Sequence, residues 1–418
     1  MRLPARPKLP WNRGKRVEMT FEEQMLRTAT LALIAFGAVM VYSASSARAL
    51  LQGQGDGTTY LVRYLVYGAL GLVAMHVVAR RGLDLVIRLT GPLLAGSFAC
   101  LLAVKLPGLG IEVNGARRWL GAGPLVFQPS ELAKLALVLY AAKVLALESG
   151  RIRSPRAAGP LLLVTGVALL LVASQPDLGT ALVITFTITA MLVAAGLPLR
   201  YLAIGAAVVG LVALLYAVSE PYRRARLTTF VDPWAHAGGA GFQAVQGQIA
   251  LGSGGLLGRG LGQSVQKIFY LPEAHTDFIL AIIGEELGVA GIFGALALYG
   301  LLAYAGLRVA KAAVGAYAKL LAAGVTSLIL SQACLNAFAV LGLAPLTGVP
   351  LPFISYGATN LTVLLAGVGL LLNVAAGGSA RLRAVPGSRR DGAERPHRRG
   401  RDRGTRGAGA GGRRRAAG

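Results

Sequence analysis

The sequence predicts an all-α polytopic membrane protein with about ten transmembrane helices. The chain has 418 residues, of which 55% are hydrophobic and 14% are charged, and its mean hydropathy is +0.60. Several apolar runs approach the roughly 20 residues that a helix needs to cross a bilayer. The runs are continuous rather than alternating, and backbone groups in lipid must be satisfied within a helix or a closed barrel, so helices are expected.

Ten apolar segments are candidate spans, and we expect the first to be retained because its basic lead is too long and polar for a cleaved signal peptide. The spans are approximately 27–46, 60–79, 89–106, 130–148, 158–174, 178–196, 199–218, 277–305, 318–343 and 355–376. Cys100 and Cys334 both lie inside spans, which argues against a structural disulfide or a thiolate metal site.

The positive charges set the expected orientation. With the N-terminus inside, the cytoplasmic segments carry most of the Lys and Arg residues, so the positive-inside rule predicts both termini in the cytoplasm. The resulting domains are a basic N-terminal segment 1–26, a membrane domain 27–376 and an Arg/Gly-rich tail 377–418. The tail has almost no apolar residues, so disorder is expected.

The net charge of +24 suggests nucleic acid at first sight, but its distribution does not favour that partner. Much of the charge lies in the tail, where no aromatic residues are interleaved, and contact with anionic lipid head groups is the simpler interpretation. We therefore expect a membrane-embedded protein without a nucleic-acid partner.

Two outer segments are long, Leu106 to Pro129 and 219–276. The second far exceeds the usual connection between helices, and long structured loops of this kind usually carry function. Within it Phe242, Val245 and Ile249 fall at i, i+3 and i+7. This spacing predicts a short amphipathic helix that lies on the membrane or packs on the bundle.

Ionisable residues in or beside membrane spans are unfavourable unless they have partners, so they are candidate functional residues. They are Arg117 and Arg118 in the first long loop, Glu131 and Lys134 at the start of the fourth span, Asp177 between the fifth and sixth spans, and Glu285 and Glu286 inside the eighth span. Glu131 and Lys134 are spaced i, i+3 and can pair on one helix face.

The segment from Tyr270 to Ile279 adds three ionisable residues, Glu273, His275 and Asp277, at the start of the eighth span. Thr276 or Asp277 occupies the expected N-cap position, so a capped helix start without chemistry is one interpretation. Structural alternatives exist for the other clusters too: helix capping for Asp177 and Ser130, mutual pairing for Glu131 and Lys134, and head-group anchoring for the arginines.

The outer clusters share one predicted membrane level, and Glu286 lies deeper. Acids and bases gathered at one interface, beside a long loop, indicate a site for an amphiphile with a charged head group. Arginine suits a diphosphate because its planar fork pairs with phosphate oxygens. An apolar groove between helices would hold a lipid tail.

The motifs resemble those of the SEDS family (shape, elongation, division and sporulation) of bacterial cell-wall synthesis, and they cover about residues 20–378. The matching motifs are Val113-Asn-Gly-Ala-Arg-Arg-Trp-Leu120, Gln128-Pro-Ser-Glu-Leu-Ala-Lys134, Gln175-Pro-Asp-Leu-Gly-Thr180, the segment from Gln266 to Phe278 with Pro-Glu-Ala-His-Thr-Asp, Gly284-Glu-Glu-Leu-Gly288 and Pro350-Leu-Pro-Phe-Ile-Ser-Tyr-Gly357. The Pro-Glu-Ala-His-Thr-Asp form favours the division member over the elongation member. The chain departs from the family after Gly357, where Ala358-Thr359-Asn360 replaces the usual Gly-Ser.

The resemblance implies a SEDS-type bundle with a large extracytoplasmic loop between the seventh and eighth spans. It implies a peptidoglycan glycosyltransferase that polymerises lipid II during cell division, forming a β-1,4 link and releasing undecaprenyl diphosphate. The site would lie on the extracytoplasmic face of a bacterial cytoplasmic membrane. A class B penicillin-binding protein (a transpeptidase) and other divisome proteins are the implied partners.

The family's essential acid matches Asp277, which we expect to act as a general base because a helix N-terminus stabilises the carboxylate. The family's paired acid and base match Glu131 and Lys134. The other substrate-binding candidates are Arg117, Arg118, Asp177, His275, Glu286 and Ser355. No cofactor is certain, although two acids near a diphosphate can share Mg²⁺ or Mn²⁺ with it.

Two other functions remain compatible with the sequence. A transporter that flips lipid II would also use intramembrane acids such as Glu285 and Glu286, although no internal repeat of the kind common in transporters is visible. A non-catalytic scaffold that recruits a transpeptidase would leave the outer acids without a role.

Overall fold

The structure is a computed structural model that describes residues 20–51, 57–113, 116–122, 125–148, 156–218, 229–239, 241–268 and 270–378. Several predicted segments fall outside the described residues: most of the basic N-terminal segment, residues 219–228 of the second long outer segment, and all but the first residues of the Arg/Gly-rich tail.

The described chain is mainly helical, as predicted, and each of the ten predicted spans lies on a helix. The α-helices are α1 (Phe21–Leu51), α2 (Thr59–Arg80), α3 (Leu83–Ala103), α4 (Pro129–Leu147), α5 (Gly159–Ala173), α6 (Leu178–Ala194), α7 (Leu199–Val218), α8 (Phe242–Gly254), α9 (Ile279–Ala312), α10 (Ala316–Val340) and α11 (Ala358–Ala375). Within the described ranges six of them, α1 to α3 and α9 to α11, are long and apolar enough to cross a membrane, and α5, α6 and part of α7 are shorter apolar helices.

Helix α4 lies at the centre of the bundle, because it packs against α3, α5, α6, α10 and α11. Most of its residues are buried, including the polar residues Ser130, Glu131 and Lys134. A helix that is buried on most sides is expected to be apolar around its circumference. The ionisable residues of α4 break that rule, and each therefore needs a partner inside the protein.

Helices α2 and α11 approach each other closely through glycines. A Cβ atom on Gly71 would lie 2.5 Å from the Leu365 side chain, and one on Gly369 would lie 2.5 Å from the Met75 carbonyl oxygen. Small residues at helix contacts are typical of membrane bundles, where packing rather than hydrophobicity drives association. These contacts hold the middle and C-terminal parts of α2 and α11 side by side.

The first long outer segment contains an antiparallel sheet that our sequence analysis missed. Its strands are β1 (Gly110–Val113), β2 (Ala116–Ala122) and β3 (Leu125–Phe127), in the order β1-β2-β3. The available signal was the dipeptide Asn114-Gly115 between two runs with strand-forming residues, which is a strong hairpin indicator. The dominant helix pattern of the chain obscured it.

The predicted amphipathic helix is confirmed as α8. Its buried residues are Val245, Gly247, Ala250 and Gly254, whereas Ile249 is exposed, so the buried face is rotated from the predicted one. A Cβ atom on Gly247 would lie 2.6 Å from the Phe278 ring. Helix α8 therefore packs on the start of α9.

Helix α9 is interrupted at Gly288, which has φ +68° and ψ −163°. The segment 255–260, just after α8, forms backbone hydrogen bonds with α9 on both sides of this break. The four bonds are Val289 N to Gly255 O at 3.0 Å, Ala290 N to Leu256 O at 3.1 Å, Arg259 N to Glu285 O at 3.0 Å and Gly260 N to Glu286 O at 2.9 Å. A broken helix at membrane depth is tolerated only where its backbone groups are paired within the protein, and this segment provides that pairing.

The docked segment predicts unequal effects of two glycine substitutions. Gly258 and Gly262 have similar positive φ angles, +80° and +81°, but a Cβ on Gly258 would lie 2.1 Å from Glu286 O, whereas Gly262 faces open space. Gly262→Ala should lower the free energy of unfolding by about 1–2 kcal/mol, because alanine is strained in a left-handed backbone conformation. Gly258→Ala should lower the free energy of unfolding by more than about 4 kcal/mol, because the clash with Glu286 O also displaces the segment 255–260 from α9. Unfolding of both purified variants measures this, and equal losses of stability would contradict the docking described here.

Candidate active site

The N-terminal starts of α4, α6, α9 and α11 meet around the segment 341–357 that follows α10. Asn336, on α10, donates to the carbonyl oxygens of Asp277 at 2.7 Å and Val349 at 2.8 Å. A Cβ on Gly179, in the first turn of α6, would lie 2.4 Å from Thr347 O. The chain thus brings the predicted Asp177, Glu131, Asp277 and Ser355 motifs to one end of the bundle.

Glu131 and Lys134 form the predicted pair, with Lys134 Nζ 2.9 Å from Glu131 Oε1. Their side chains are only 3% and 2% exposed. Asn360 Nδ2 donates to Glu131 Oε2 at 2.6 Å and to Gln332 Oε1 at 2.7 Å. The pair therefore belongs to a buried network that joins α4, α10 and α11, and the sequence analysis missed Asn360 and Gln332.

The departure from the family motif after Gly357 has a structural consequence. Thr359 Oγ1 accepts a hydrogen bond from Gln128 N at 3.1 Å, and Asn360 binds Glu131. Two side chains of the departing segment thus fasten the start of α11 to the start of α4.

Asp277 lies in a turn immediately before α9 and is partly buried. The expectation that Thr276 or Asp277 is the N-cap is wrong, because α9 begins at Ile279 and its N-cap residue is Phe278, without a side-chain cap. The Thr276 hydroxyl lies 2.8 Å from Glu273 Oε2 and 3.3 Å from Asp277 Oδ1. Two carboxylates therefore share the neighbourhood of one hydroxyl, less than one turn ahead of a helix.

One face of α10 connects Asp277 with the Glu131 network. Gln332 and Asn336 are four residues apart, about 6 Å along the helix axis, and contact Asn360 and the Asp277 backbone respectively. Among the described residues, Gln332 Nε2, Asn336 Oδ1 and Ser130 Oγ are buried without a protein partner. Buried polar atoms are normally satisfied, so these three atoms have unused hydrogen-bonding capacity inside the bundle.

His275 and Ser355 both stabilise the loops around Asp277. The His275 ring lies 4.4 Å from the Tyr60 ring and 5.7 Å from the Tyr356 ring, and its carbonyl accepts from Tyr356 N at 2.9 Å. Ser355 Oγ accepts from Leu351 N at 2.8 Å and is buried. Burial raises the pKa of the Tyr356 phenol, so this hydroxyl stays neutral at physiological pH.

Asp177 caps α6, as its structural alternative proposed. Its Oδ1 accepts from Thr180 N at 3.1 Å and its Oδ2 accepts from the Thr180 hydroxyl at 2.9 Å. Both oxygens of this buried carboxylate are engaged. Asp177 therefore fixes the direction of α6 and the position of Gly179 against the segment that passes Asp277.

The two arginines of β2 make different contacts, as neighbouring residues of a strand do when they face opposite sides. Arg118 donates to the carbonyl oxygens of Gln175, at 3.0 Å, and Pro176. Arg117 is about half exposed and pairs with Glu112 at 3.2 Å. Arg118 thus ties the small sheet to the connection before α6, while Arg117 presents its charge at the surface.

Glu285 and Glu286 form a second buried network, separate from the first. Glu286 pairs with Lys267 at 2.6 Å and accepts from Ser43 of α1 at 2.6 and 2.7 Å. Glu285 accepts from Ser264 at 2.5 Å and from Val265 N at 3.0 Å. These contacts hold the segment 256–268 against α9 and α1, and the sequence analysis missed Ser43, Lys267 and Ser264.

The arrangement around Asp277 suits proton transfer beside an anionic ligand. A carboxylate ahead of a helix lies in a positive field, and unpartnered amide and hydroxyl groups lie on the neighbouring helices. The described residues contain no group of three or more His, Cys, Asp or Glu side chains that could hold a metal ion. Glu273 and Asp277 are the two acids that could share a divalent ion with a phosphate ligand.

Comparison with known proteins places these features in a family. The family model described as cell cycle protein, FtsW/RodA/SpoVE, matches residues 23–379. A probable peptidoglycan glycosyltransferase FtsW from Geobacter sp. (strain M18) is 41% identical over 344 residues, which cover 82% of this chain and 93% of that protein. The stage V sporulation protein E of Bacillus subtilis (strain 168) is 39% identical over 357 residues, covering 85% and 97%.

A solved structure has the same fold. It is a chain from a peptidoglycan synthase complex studied for the coordination of polymerization and crosslinking, and it matches with a TM-score of 0.71 and 31% identity. The match covers 86% of this chain and 98% of that chain. The predicted resemblance to the SEDS proteins is therefore confirmed, and the chain belongs to the FtsW/RodA/SpoVE family.

Proposed function

We propose that this chain is a peptidoglycan glycosyltransferase of the division type, FtsW-like, that polymerises lipid II. The names of its relatives support the reaction class. The observation that carries the proposal is the placement of Asp277: a partly buried carboxylate ahead of α9, held by Asn336 of α10, whose Oδ1 has no protein partner among the described residues. A positioned carboxylate of this kind is one of the groups that serve as general base towards a hydroxyl.

In the proposed reaction Asp277 accepts the proton of the acceptor 4-hydroxyl. The hydroxyl oxygen attacks the anomeric carbon of the donor sugar, a β-1,4 link forms with inversion, and the bond to undecaprenyl diphosphate breaks. The leaving diphosphate gains negative charge and needs cationic stabilisation. Arg117 is the most accessible candidate among the predicted residues, because its ion pair with Glu112 lies at the surface, whereas Arg118 binds backbone carbonyls and Lys134 is buried with Glu131.

A divalent cation is compatible with this site as a companion of the substrate. Glu273 and Asp277 would hold Mg²⁺ or Mn²⁺ together with the phosphate oxygens, as such ions are commonly bound by one or two carboxylates and a phosphate. The ion would supply charge neutralisation for the leaving group.

The proposed setting is a bacterial cytoplasmic membrane, with both termini in the cytoplasm and Asp277 at the extracytoplasmic face. The distribution of Lys and Arg supports this orientation. The proposed partners are a class B penicillin-binding protein and other divisome proteins. The structural similarity to a chain of a peptidoglycan synthase complex supports a synthase partnership.

An assay in detergent solution distinguishes polymerisation from lipid transport, because transport needs two membrane leaflets and detergent micelles have none. Purified full-length protein, alone and with its cognate class B partner, is incubated with lipid II, and glycan strands are resolved by gel electrophoresis. We expect strands in at least the reaction that contains the partner. Absence of strands in both reactions, together with lipid II flipping in liposomes, would show that the chain is a transporter.

A further inference from the structure

A cavity of about 80 Å³ lies beside the candidate active site, between α8, the end of α10 and the segment that begins at Thr229. A water molecule needs only a fraction of this volume, so the cavity has room for a larger chemical group. Its lining residues are Thr229, Phe230, Pro233, Gln243, Ala244, Gln248, Ala339, Gly342, Ala344 and Leu346. Gly342 is exposed, so the cavity reaches the protein surface.

Three of the ten described lining residues are polar, Thr229, Gln243 and Gln248, and none of these ten has an ionisable side chain. The lining contains two amides and one hydroxyl, next to the apolar surface of Phe230, Pro233 and Leu346. The described lining residues would offer no counter-charge to a diphosphate or a carboxylate. A neutral ligand with hydroxyl and amide groups, such as an N-acetylated sugar, matches both the polar and the apolar parts of the lining.

The polar groups of the lining offer complementary hydrogen-bonding atoms. Trp234 Nε1 donates to Gln248 Oε1 at 3.1 Å, which fixes that amide and leaves its Nε2 as a donor. Gln243 Nε2 lies 3.4 Å from Pro272 O, which leaves its Oε1 as an acceptor. Thr229 is 5% exposed, and its hydroxyl has no protein partner in the described chain. A donor, an acceptor and an unsatisfied hydroxyl together are a built polar site.

The cavity is continuous with the segment that passes Asp277. Leu346 lines the cavity, and Gly348, two residues later and at most about 7 Å away, would place a Cβ 3.7 Å from Asp277 Oδ2. Gln243 contacts Pro272, five residues before Asp277. A saccharide chain bound at Asp277 can therefore extend towards the cavity.

We infer that this cavity, lined by Thr229, Gln243 and Gln248, is a binding subsite for neutral N-acetylated saccharide, and that it holds the glycan strand next to the reacting sugars. The identification of the ligand as the glycan strand rests on the proposed glycosyltransferase function. The saccharide chemistry itself rests on the uncharged, amide-bearing lining.

The first test measures binding of a soluble N-acetylglucosamine tetramer to the full chain in lipid nanodiscs, since glycoside detergents would compete for a sugar site. Thr229→Val and Gln248→Leu should each weaken binding about tenfold, the effect of one well-made hydrogen bond. Gln263→Leu, an exposed amide outside the cavity, is the matched control and should bind like the wild type. Thr229→Val is nearly isosteric and decides the test if Gln248→Leu does not fold.

The second test compares polymerisation by the same variants with the class B partner present. Strands made by Thr229→Val and Gln248→Leu should be shorter than those of the wild type, while the first coupling of two lipid II molecules keeps its rate. Tetramer binding that is absent in the wild type, or equal in all variants, overturns the subsite. Loss of activation by the partner, with unchanged tetramer binding, would show that the cavity receives a protein instead.

The two tests also separate this inference from the proposed function. If the wild type makes no glycan but binds the tetramer through Thr229 and Gln248, the saccharide site stands and the glycosyltransferase assignment fails. If glycan forms and the variants match the wild type in binding and strand length, the assignment stands and the subsite fails.

Discussion

Asp277→Asn is expected to reduce lipid II polymerisation by about 10²–10⁴-fold, the range that positioned general bases contribute. The amide has nearly the shape of the carboxylate but cannot accept the acceptor's proton. The backbone contact from Asn336 to the Asp277 carbonyl does not involve the substituted atoms, so the fold should persist. The rate of glycan formation by purified protein is the measurement.

Asp84→Asn provides the matched control for this substitution. Asp84 is an exposed acid in the first turn of α3, and it has no part in the site described here. Its substitution makes the same charge change and should leave polymerisation near the wild-type rate. Comparable loss in both variants would indicate a general effect of charge, and Asp277 would lose its assigned role as base.

A large loss of stability is also expected from Lys134→Met. This substitution leaves the Glu131 carboxylate buried with Asn360 as its hydrogen-bond partner, and breaking a buried ion pair from one side costs about 3–5 kcal/mol. The double variant Glu131→Gln/Lys134→Met removes both charges and should recover much of that loss. Unfolding of the purified proteins by heat or denaturing detergent measures the difference.

The exposed Lys319 of α10 serves as the control for Lys134. Lys319→Met makes the same chemical change at the surface and should alter stability by no more than about 0.5 kcal/mol. If the double variant is as unstable as Lys134→Met, the Glu131–Lys134 pair is not what couples these two positions. The buried network would then depend on other atoms of these side chains.

The helices were predictable from the sequence because the bilayer constrains them strongly. A continuous apolar run has few alternatives in lipid, so each predicted span coincides with a helix, and α7 has the predicted bounds of 199 and 218. The interruption of α9 was not predictable in the same way. Gly288 lies in an apolar run, and only the docking of 255–260 reveals why the helix breaks there.

Contacts in the candidate site were predictable from the sequence where the two residues lie close together along the chain, and they were not predictable where the residues lie far apart. Glu131 and Lys134 could be paired from their i, i+3 spacing. Asp277 was assigned from the family resemblance, and its expected N-cap position was wrong. Asn360 and Gln332 carry no such signal, since their role arises when α10 and α11 pack against α4. Long-range partners of this kind depend on tertiary packing, which spacing along the chain does not encode.

The same limit applies to the second buried network. Glu285 and Glu286 were recognisable as intramembrane acids, but their partners Ser264, Lys267 and Ser43 lie in a distant loop and in α1. The structure shows that the partners hold a loop to α9. A buried acidic residue within a membrane span can therefore stabilise the fold as well as take part in catalysis.

The most direct test of the central claim counts undecaprenyl diphosphate released from defined lipid II in detergent, with wild-type protein and Asp277→Asn side by side and the class B partner present. The account predicts that the wild type releases one undecaprenyl diphosphate for each β-1,4 link formed, and that Asp277→Asn releases almost none. Release at the wild-type rate by folded Asp277→Asn would contradict the role of Asp277 as the base. Absence of release by the wild type would contradict the glycosyltransferase assignment itself.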